Sequence, residues 1–132
     1  MTTKYKMKII IPINDDAYNQ ELKEVAQSVA PPDLEIEVDN IKAGNTSIES
    51  RWDRMTNAPH VVDLVVDAEK QGFDGVFVSD FDYCGVEPAR EVVSIPVIGG
   101  FRSSAYTAMM LSERFSIITT VSYTHLTLPT KA

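Results

Sequence analysis

The chain carries one cysteine, Cys84, in 132 residues, so no disulfide can form within it and a reducing compartment is expected. Long apolar runs are missing as well. Stretches such as Ile9–Ile11 and Val76–Val78 are far below the ~20 residues that cross a bilayer, and the N-terminus has no signal-type apolar core. The expectation is a cytoplasmic protein with no membrane partner. Basic residues are scarce: twelve Lys and Arg stand against nineteen Asp and Glu, a net charge of −7, and they are scattered. No electrostatic footprint for a phosphate backbone exists, so nucleic acid is not an expected partner. Histidine occurs twice, and no His/Cys group has ligand spacing, so no metal site is expected. Six glycines, seven prolines, 44% hydrophobic and 23% charged residues exclude a fibrous or globally disordered chain. Enough remains for one domain with a sizeable core.

Periodicity supplies the elements. Lys8–Ile13 is a largely β-branched run leading into Asn14-Asp15-Asp16, which predicts a buried strand leaving into a loop. From Tyr18 to Val29, Leu22, Val25, Ala26 and Val29 recur at helical steps until Pro31-Pro32 stops them. Leu34–Val38 alternates apolar and acidic residues, the pattern of an edge strand. Residues 39–57 are irregular, with turn chemistry at Gly44–Ser47 and a short helical piece near Ile48–Arg54, a candidate functional loop. His60 opens a helix through Gln71, with Gly72 placed to take the left-handed conformation beyond its end. Gly75–Ser79 predicts a central strand, followed by a loop holding Asp80–Gly85 and a short helix near Glu87–Val93. Ile95–Ile98 is a further strand, Gly99-Gly100 a turn, Ser103 the cap of a helix to Ser112, and Phe115–Thr120 a fifth strand. Alternation of strands and helices predicts a parallel, doubly wound sheet, whose ligands bind beyond the carboxyl ends of the strands. Ser122–Ala132 has no apolar period and no acidic residue. It reads as a non-native or disordered tail, of the kind adaptor read-through adds to metagenomic reading frames, leaving 1–121 as the domain.

Three polar segments should open on one edge of that sheet: Asn14–Asp16, Asp80–Cys84 and Gly99–Ser104. The last offers backbone N–H groups at a helix start, where a carboxylate or phosphate is favoured, although a tight turn with an ordinary serine cap explains the same residues. Cys84 is useful as a base or nucleophile only as a thiolate; the following helix would favour that form, and nearby Asp80 and Asp82 oppose it. Trp52 and Tyr83 either line a pocket or pack on the sheet edge.

Taken together, Gly75-Val-Phe-Val-Ser-Asp80, Gly85-Val-Glu-Pro-Ala-Arg-Glu91, Ser94-Ile-Pro-Val-Ile-Gly99 and Arg114-Phe-Ser-Ile-Ile-Thr-Thr120 resemble the first half of the aspartate/glutamate/hydantoin racemase superfamily, its hydantoin racemase branch in particular. Ser47-Ile-Glu-Ser50 and the Asn14 turn are similar to substrate-pocket loops of that branch. The resemblance implies a cofactor-independent reaction at a carbon next to a carboxylate or carbonyl. Two similar α/β domains each present a cysteine to opposite faces of the substrate, one removing the α-proton and the other returning one. This sequence departs from that pattern twice. Aligning on Ala89-Arg90 and Ile95-Pro96-Val97 puts Asp80, not Cys84, where the family's first cysteine sits. There is also no second cysteine, so two-thiol racemisation needs a missing second domain.

The resulting expectation is a flavodoxin-like, doubly wound parallel sheet of about five strands, one of the two domains of a racemase-type enzyme. Asp80 or Cys84 would face the reacting carbon. Asn14, Gly99, Gly100, Ser103 and Ser104 would hold the substrate carboxylate, and Ser47, Thr119 and Thr120 would line the cleft. The implied partners are a small amino acid, hydantoin or related carboxylate, the second domain, and further copies of the full-length protein; no cofactor is implied. Two other classes compete. In a phosphoacceptor receiver, Asp15, Asp16 and Asp80 would hold magnesium, although Gly99-Gly100 occupies the place of the Ser or Thr switch residue. In a noncatalytic α/β fragment, an exposed face meets a partner domain.

Overall fold

A computed structural model describes residues 4–118. Four strands and four helices alternate: β1 (Tyr5–Ile11), α1 (Asn19–Val29), β2 (Leu34–Asn40), α2 (Arg51–Lys70), β3 (Gly75–Val78), α3 (Val86–Val92), β4 (Val97–Gly99) and α4 (Gly100–Leu111). The strands form one sheet in the order β2-β1-β3-β4, every pairing parallel. Leu34–Asn40 is an edge strand and Gly75–Val78 an inner one, as their patterns require. This order makes β1/β3 the point where the winding reverses, and there Ile11 and Ser79, at the strand ends, line an open crevice with Tyr18, Glu21, Leu22 and Val25.

The β1 isoleucines divide between the faces because side chains alternate along a strand. Ile10 is fully buried with Val76, Val78 and Val97 against Val61, Val65, Ala68, Val86 and Ala89 of α2 and α3. Ile9, Ile11 and Ile36 lie outside that cluster and are buried as well. Phe73, at the foot of β3, carries the Lys8 ammonium 5.1 Å from its ring centre.

Several expectations are corrected. The two helical pieces around Ile48–Arg54 and His60–Gln71 are one twenty-residue helix running through Pro59, so His60 lies inside the helix and Trp52 sits exposed on its first turn. A proline breaks a helix by losing a hydrogen bond and crowding the preceding turn. Here the buried stripe Asn57, Val61, Val65, Ala68 holds the helix together across it. Ser50 begins α2 as a reciprocal cap: its hydroxyl accepts from the Asp53 N–H at 3.1 Å and donates to the Asp53 carboxylate at 2.7 Å. Gly72 does take the left-handed conformation, at φ +82°. The last strand in the described residues is Val97–Gly99, so Gly99 belongs to the sheet rather than to a turn, and Gly99, not Ser103, precedes α4. Residues 115–118 form no strand; Thr119, Thr120 and the 122–132 tail lie outside the described residues. The described sheet therefore has four strands, not five.

Candidate functional site

The crevice at the β1/β3 switch is floored by backbone: Ser79 N–H donates to the Ile10 carbonyl at 2.8 Å, and the chain then diverges. On the β1 side, Asn14 N–H donates to the Asn45 carbonyl at 2.9 Å, which brings the first loop against the turn after β2. Asn57, fully buried, locks that junction. Its Nδ2 donates to the carbonyls of Pro12 (2.9 Å) and Asn45 (3.1 Å), and its Oδ1 accepts from Asn45 N–H at 2.7 Å. Asn45 in turn donates from Nδ2 to Asp53 and Thr56. Gly44, at φ +98°, permits the turn, since a Cβ there would stand 2.6 Å from Asn57 Oδ1.

On the β3 side, Asp80 follows the strand end. Its carboxylate Oδ2 accepts from Cys84 N–H, four residues on, at 2.7 Å, and the carboxylate also accepts from Asp82 N–H, two residues on as in an Asx turn, which closes the loop. Its carbonyl accepts from Gly100 N–H at 3.1 Å, tying the loop to the start of α4. Burial lifts the Asp80 carboxyl above its ordinary value; the N–H groups of Cys84 and Asp82 oppose the rise, the Asp82 charge adds to it, and Arg54 counters it. A half-buried carboxylate so placed is a stronger base than one in water, because desolvation disfavours its charged form.

Cys84 differs. Its side chain is fully buried and its Sγ–H donates to the Arg54 carbonyl at 3.4 Å. Burial, then the Asp80 and Asp82 charges, push the thiol up to about 12, Arg54 acting in the opposite sense. The helix expected to favour the thiolate has Gly85 at its cap and seven residues, and its N-terminus does not offset the burial. Cys84 is thus a protonated core residue, and Asp80 holds the strand-end position.

The remaining candidates separate. Gly99 and Gly100 serve packing: a Cβ on Gly99 would lie 2.8 Å from the Tyr83 ring, and one on Gly100 3.1 Å from the Asp80 carbonyl. Tyr83 itself adopts φ +62°, and its ring packs on the sheet edge below the Arg102 guanidinium, 4.6 Å from its centre. Ser103 and Ser104 return their hydroxyls to the carbonyls of Gly99 and Gly100, four residues back, as serines within a helix do. Ser47 is exposed on the turn after β2. Positions 80–84 and 99–101 therefore meet directly, with the Phe81 and Phe101 rings 4.4 Å apart, while position 14 meets 45 and 57. The first turns of α2 join the two groups. Arg54 Nη1 reaches the Asp82 carbonyl at 3.2 Å and its carboxylate at 3.5 Å, and Asn57 holds the other loop. Sequence reasoning missed Arg54, Asn45 and Asn57. Asn57 was detectable, because it falls on the helical stripe of Val61, Val65 and Ala68. Asp15 accepts from Ala17 N–H, a local turn, and among the described residues no group of three or more His, Cys, Asp or Glu could hold a metal ion, so the receiver arrangement of Asp15, Asp16 and Asp80 is not formed. Among the same residues no helix is long and apolar enough to cross a membrane.

A parallel α/β domain with a half-buried carboxylate at the carboxyl end of its switch-point strand is the class this geometry defines. The Asp/Glu/Hydantoin racemase family model matches residues 10–126, and the chain belongs to that family. A hydantoin racemase of Pseudomonas sp. (strain NS671) is 35% identical over 114 residues, 86% of this chain and 46% of that protein. A hydantoin racemase of Rhizobium meliloti is 39% identical over 75 residues, 57% of this chain and 31% of that protein. Among solved structures, allantoin racemase from Klebsiella pneumoniae superposes with a TM-score of 0.77 at 30% identity, covering 81% of this chain and 44% of that one. Allantoin racemase from Pseudomonas fluorescens does so with a TM-score of 0.74 at 27% identity, over 80% and 44%. The chain thus spans less than half the length of these relatives.

Proposed function

We propose that residues 1–121 form one α/β half of a cofactor-independent racemase that moves the proton on a carbon next to a carbonyl, with a hydantoin or a related cyclic ureide or amino acid as substrate. Asp80 is its acid–base group. The observation that carries this reading is the position of the Asp80 carboxyl, half-buried at the carboxyl end of β3 with its pKa raised, while the Cys84 thiol is turned into the core. In the proposed step the ionised carboxylate takes the α-proton, the C–H electron pair delocalises onto the adjacent carbonyl as an enolate, and Asp80 becomes a neutral acid. Return of a proton to the opposite face needs a second acid, which the remainder of a protein of the relatives' length supplies. The Asn14 loop and the Gly99–Ser104 segment border the same sheet edge and are proposed to seat the substrate's carboxylate or imide; Ser47, Thr119 and Thr120 are proposed as further substrate contacts.

The test is loss of optical rotation of an enantiopure 5-monosubstituted hydantoin by the complete protein containing this chain, after exhaustive dialysis against a chelator. Racemisation that persists, and that Asp80→Asn reduces by about 10²-fold or more as general-base removal does, supports the proposal. Racemisation undiminished in that variant overturns it.

A further inference from the structure

Seven residues, 79–85, connect β3 to α3, and this loop is gripped from three sides. Gly100 of α4 holds the Asp80 carbonyl. Tyr83 lies between Gly99 and Arg102, the latter also paired with Glu87 of α3 at 3.3 Å. From α2 comes a two-point clamp by one residue: Arg54 donates from Nη1 to the Asp82 carbonyl and carboxylate, and its own carbonyl accepts the Cys84 thiol. Asp82 and Cys84 are the residues whose backbone N–H groups bond the Asp80 carboxylate. Arg54 thus holds both residues that hold Asp80. Its side chain keeps about two-fifths of its surface exposed, at 41%, so it can be replaced without opening the core.

We propose that Arg54 is the positioning residue of this site: through Asp82 and Cys84 it fixes the loop that aims the Asp80 carboxylate, and it supplies the only cation of α2 directed at that loop among the described contacts. The inference rests on the reading of Asp80 as the acid–base group. The charged or titratable groups around Asp80 are Asp82 and Cys84 on its own loop and Arg54 on α2; from α4 it receives only the Gly100 N–H, Arg102 being engaged by Tyr83 and Glu87. Two consequences therefore separate. Loss of either clamp partner loosens the loop, whereas loss of the cation and loss of the Asp82 anion act on the Asp80 charge in opposite directions.

The experiment uses the 132-residue chain in three variants, Arg54→Gln, Arg54→Lys and Asp82→Asn, read by NMR as amide exchange at Cys84 and as the carboxyl ¹³C titration of Asp80. Arg54→Gln and Asp82→Asn are both expected to speed Cys84 amide exchange by up to about fivefold relative to amides of β1, the size set by loss of a partly exposed ion pair. The Asp80 midpoint is expected to rise in Arg54→Gln, fall in Asp82→Asn and return toward wild type in Arg54→Lys. Exchange and midpoint unchanged in Arg54→Gln overturn the proposal, as does a midpoint that moves the same way in Arg54→Gln and Asp82→Asn. Failure of the parent reading is seen separately: the NMR pattern holds, yet Asp80→Asn in the complete protein leaves racemisation intact.

Discussion

Replacing Asn57 by Ala tests whether the β1 side of the crevice is held by one buried amide. The change removes three hydrogen bonds, to the Pro12 carbonyl, the Asn45 carbonyl and the Asn45 N–H. Of these groups the Asn45 carbonyl keeps a partner, the Asn14 N–H at 2.9 Å. Two backbone groups are left unpaired beneath the loop, each costing about 1–3 kcal/mol. A loss of about 3 kcal/mol is expected, a large part of the 5–15 kcal/mol typical of a domain. For a chain of this size the melting temperature should fall by roughly 10–15 °C. Urea titrations followed by circular dichroism, with wild-type and variant slopes equal, give the number directly. Asn57→Asp supplies the control. Ionised, it keeps the acceptor for Asn45 N–H and turns a charge toward two carbonyls, so at neutral pH it should cost at least as much as Ala; protonated, it can donate again and should recover stability on acidification. If Asn57→Ala stays within about 1 kcal/mol of wild type, the buried amide is not what joins the loops and the construction of this half of the site is wrong.

Cys84 should resist a thiol reagent such as Ellman's at pH 8 in the folded chain and react at once in denaturant, since its thiol is buried and pushed up to about 12; rapid native-state modification would refute that placement. The same shift fixes a sign: the stability it contributes is complete below the thiol's ordinary value of 9.0 and is lost as pH rises toward about 12, so Cys84→Ala should flatten the alkaline decline in urea midpoint. For Asp80, whose folded value is raised, the stability it contributes is present below the ordinary carboxylate value of 3.8 and lost as pH rises through the folded one. Asp80→Asn should therefore gain on wild type as pH increases from acid to neutral, and urea midpoints that move in parallel would contradict the shift. Gly99→Ala drives a Cβ to 2.8 Å from the Tyr83 ring and should cost about 1–3 kcal/mol, most of it restored when Tyr83→Ala is added; additive losses would show the contact to be unimportant.

Where burial decides conformation, the sequence was legible. β-Branched runs at Ile9–Ile11 and Val76–Val78 became adjacent parallel strands, the acidic alternation of Leu34–Val38 marked an edge, and Gly72 ended α2. Misreadings arose where a local signal was overruled by contacts distant in sequence. Residues 39–57 read as an irregular loop and the helix as opening at His60, yet the buried stripe from Asn57 to Ala68 belongs to one helix that starts at Arg51 and runs through Pro59. Ser103 has cap chemistry, yet β4 ends at Gly99 and α4 starts there, because Gly100 N–H is drawn to the Asp80 carbonyl. The position of Asp80 was visible from its place after the strand. That the thiol four residues on points inward was not, since this follows from Gly85 at φ +72° and from packing on α2. Arg54 carried no motif at all; only the fold brings it to Asp82.

Solvent deuterium exchange at the α-carbon of a 5-substituted hydantoin, followed by ¹H NMR in the complete protein containing this chain, tests the central claim most directly. Asp80→Asn should slow exchange by about 10²-fold or more, while Cys84→Ala, which only loosens the loop that aims Asp80, should cost far less. Exchange that survives in Asp80→Asn and collapses in a folded Cys84→Ala would assign the proton transfer to the thiol and contradict the account.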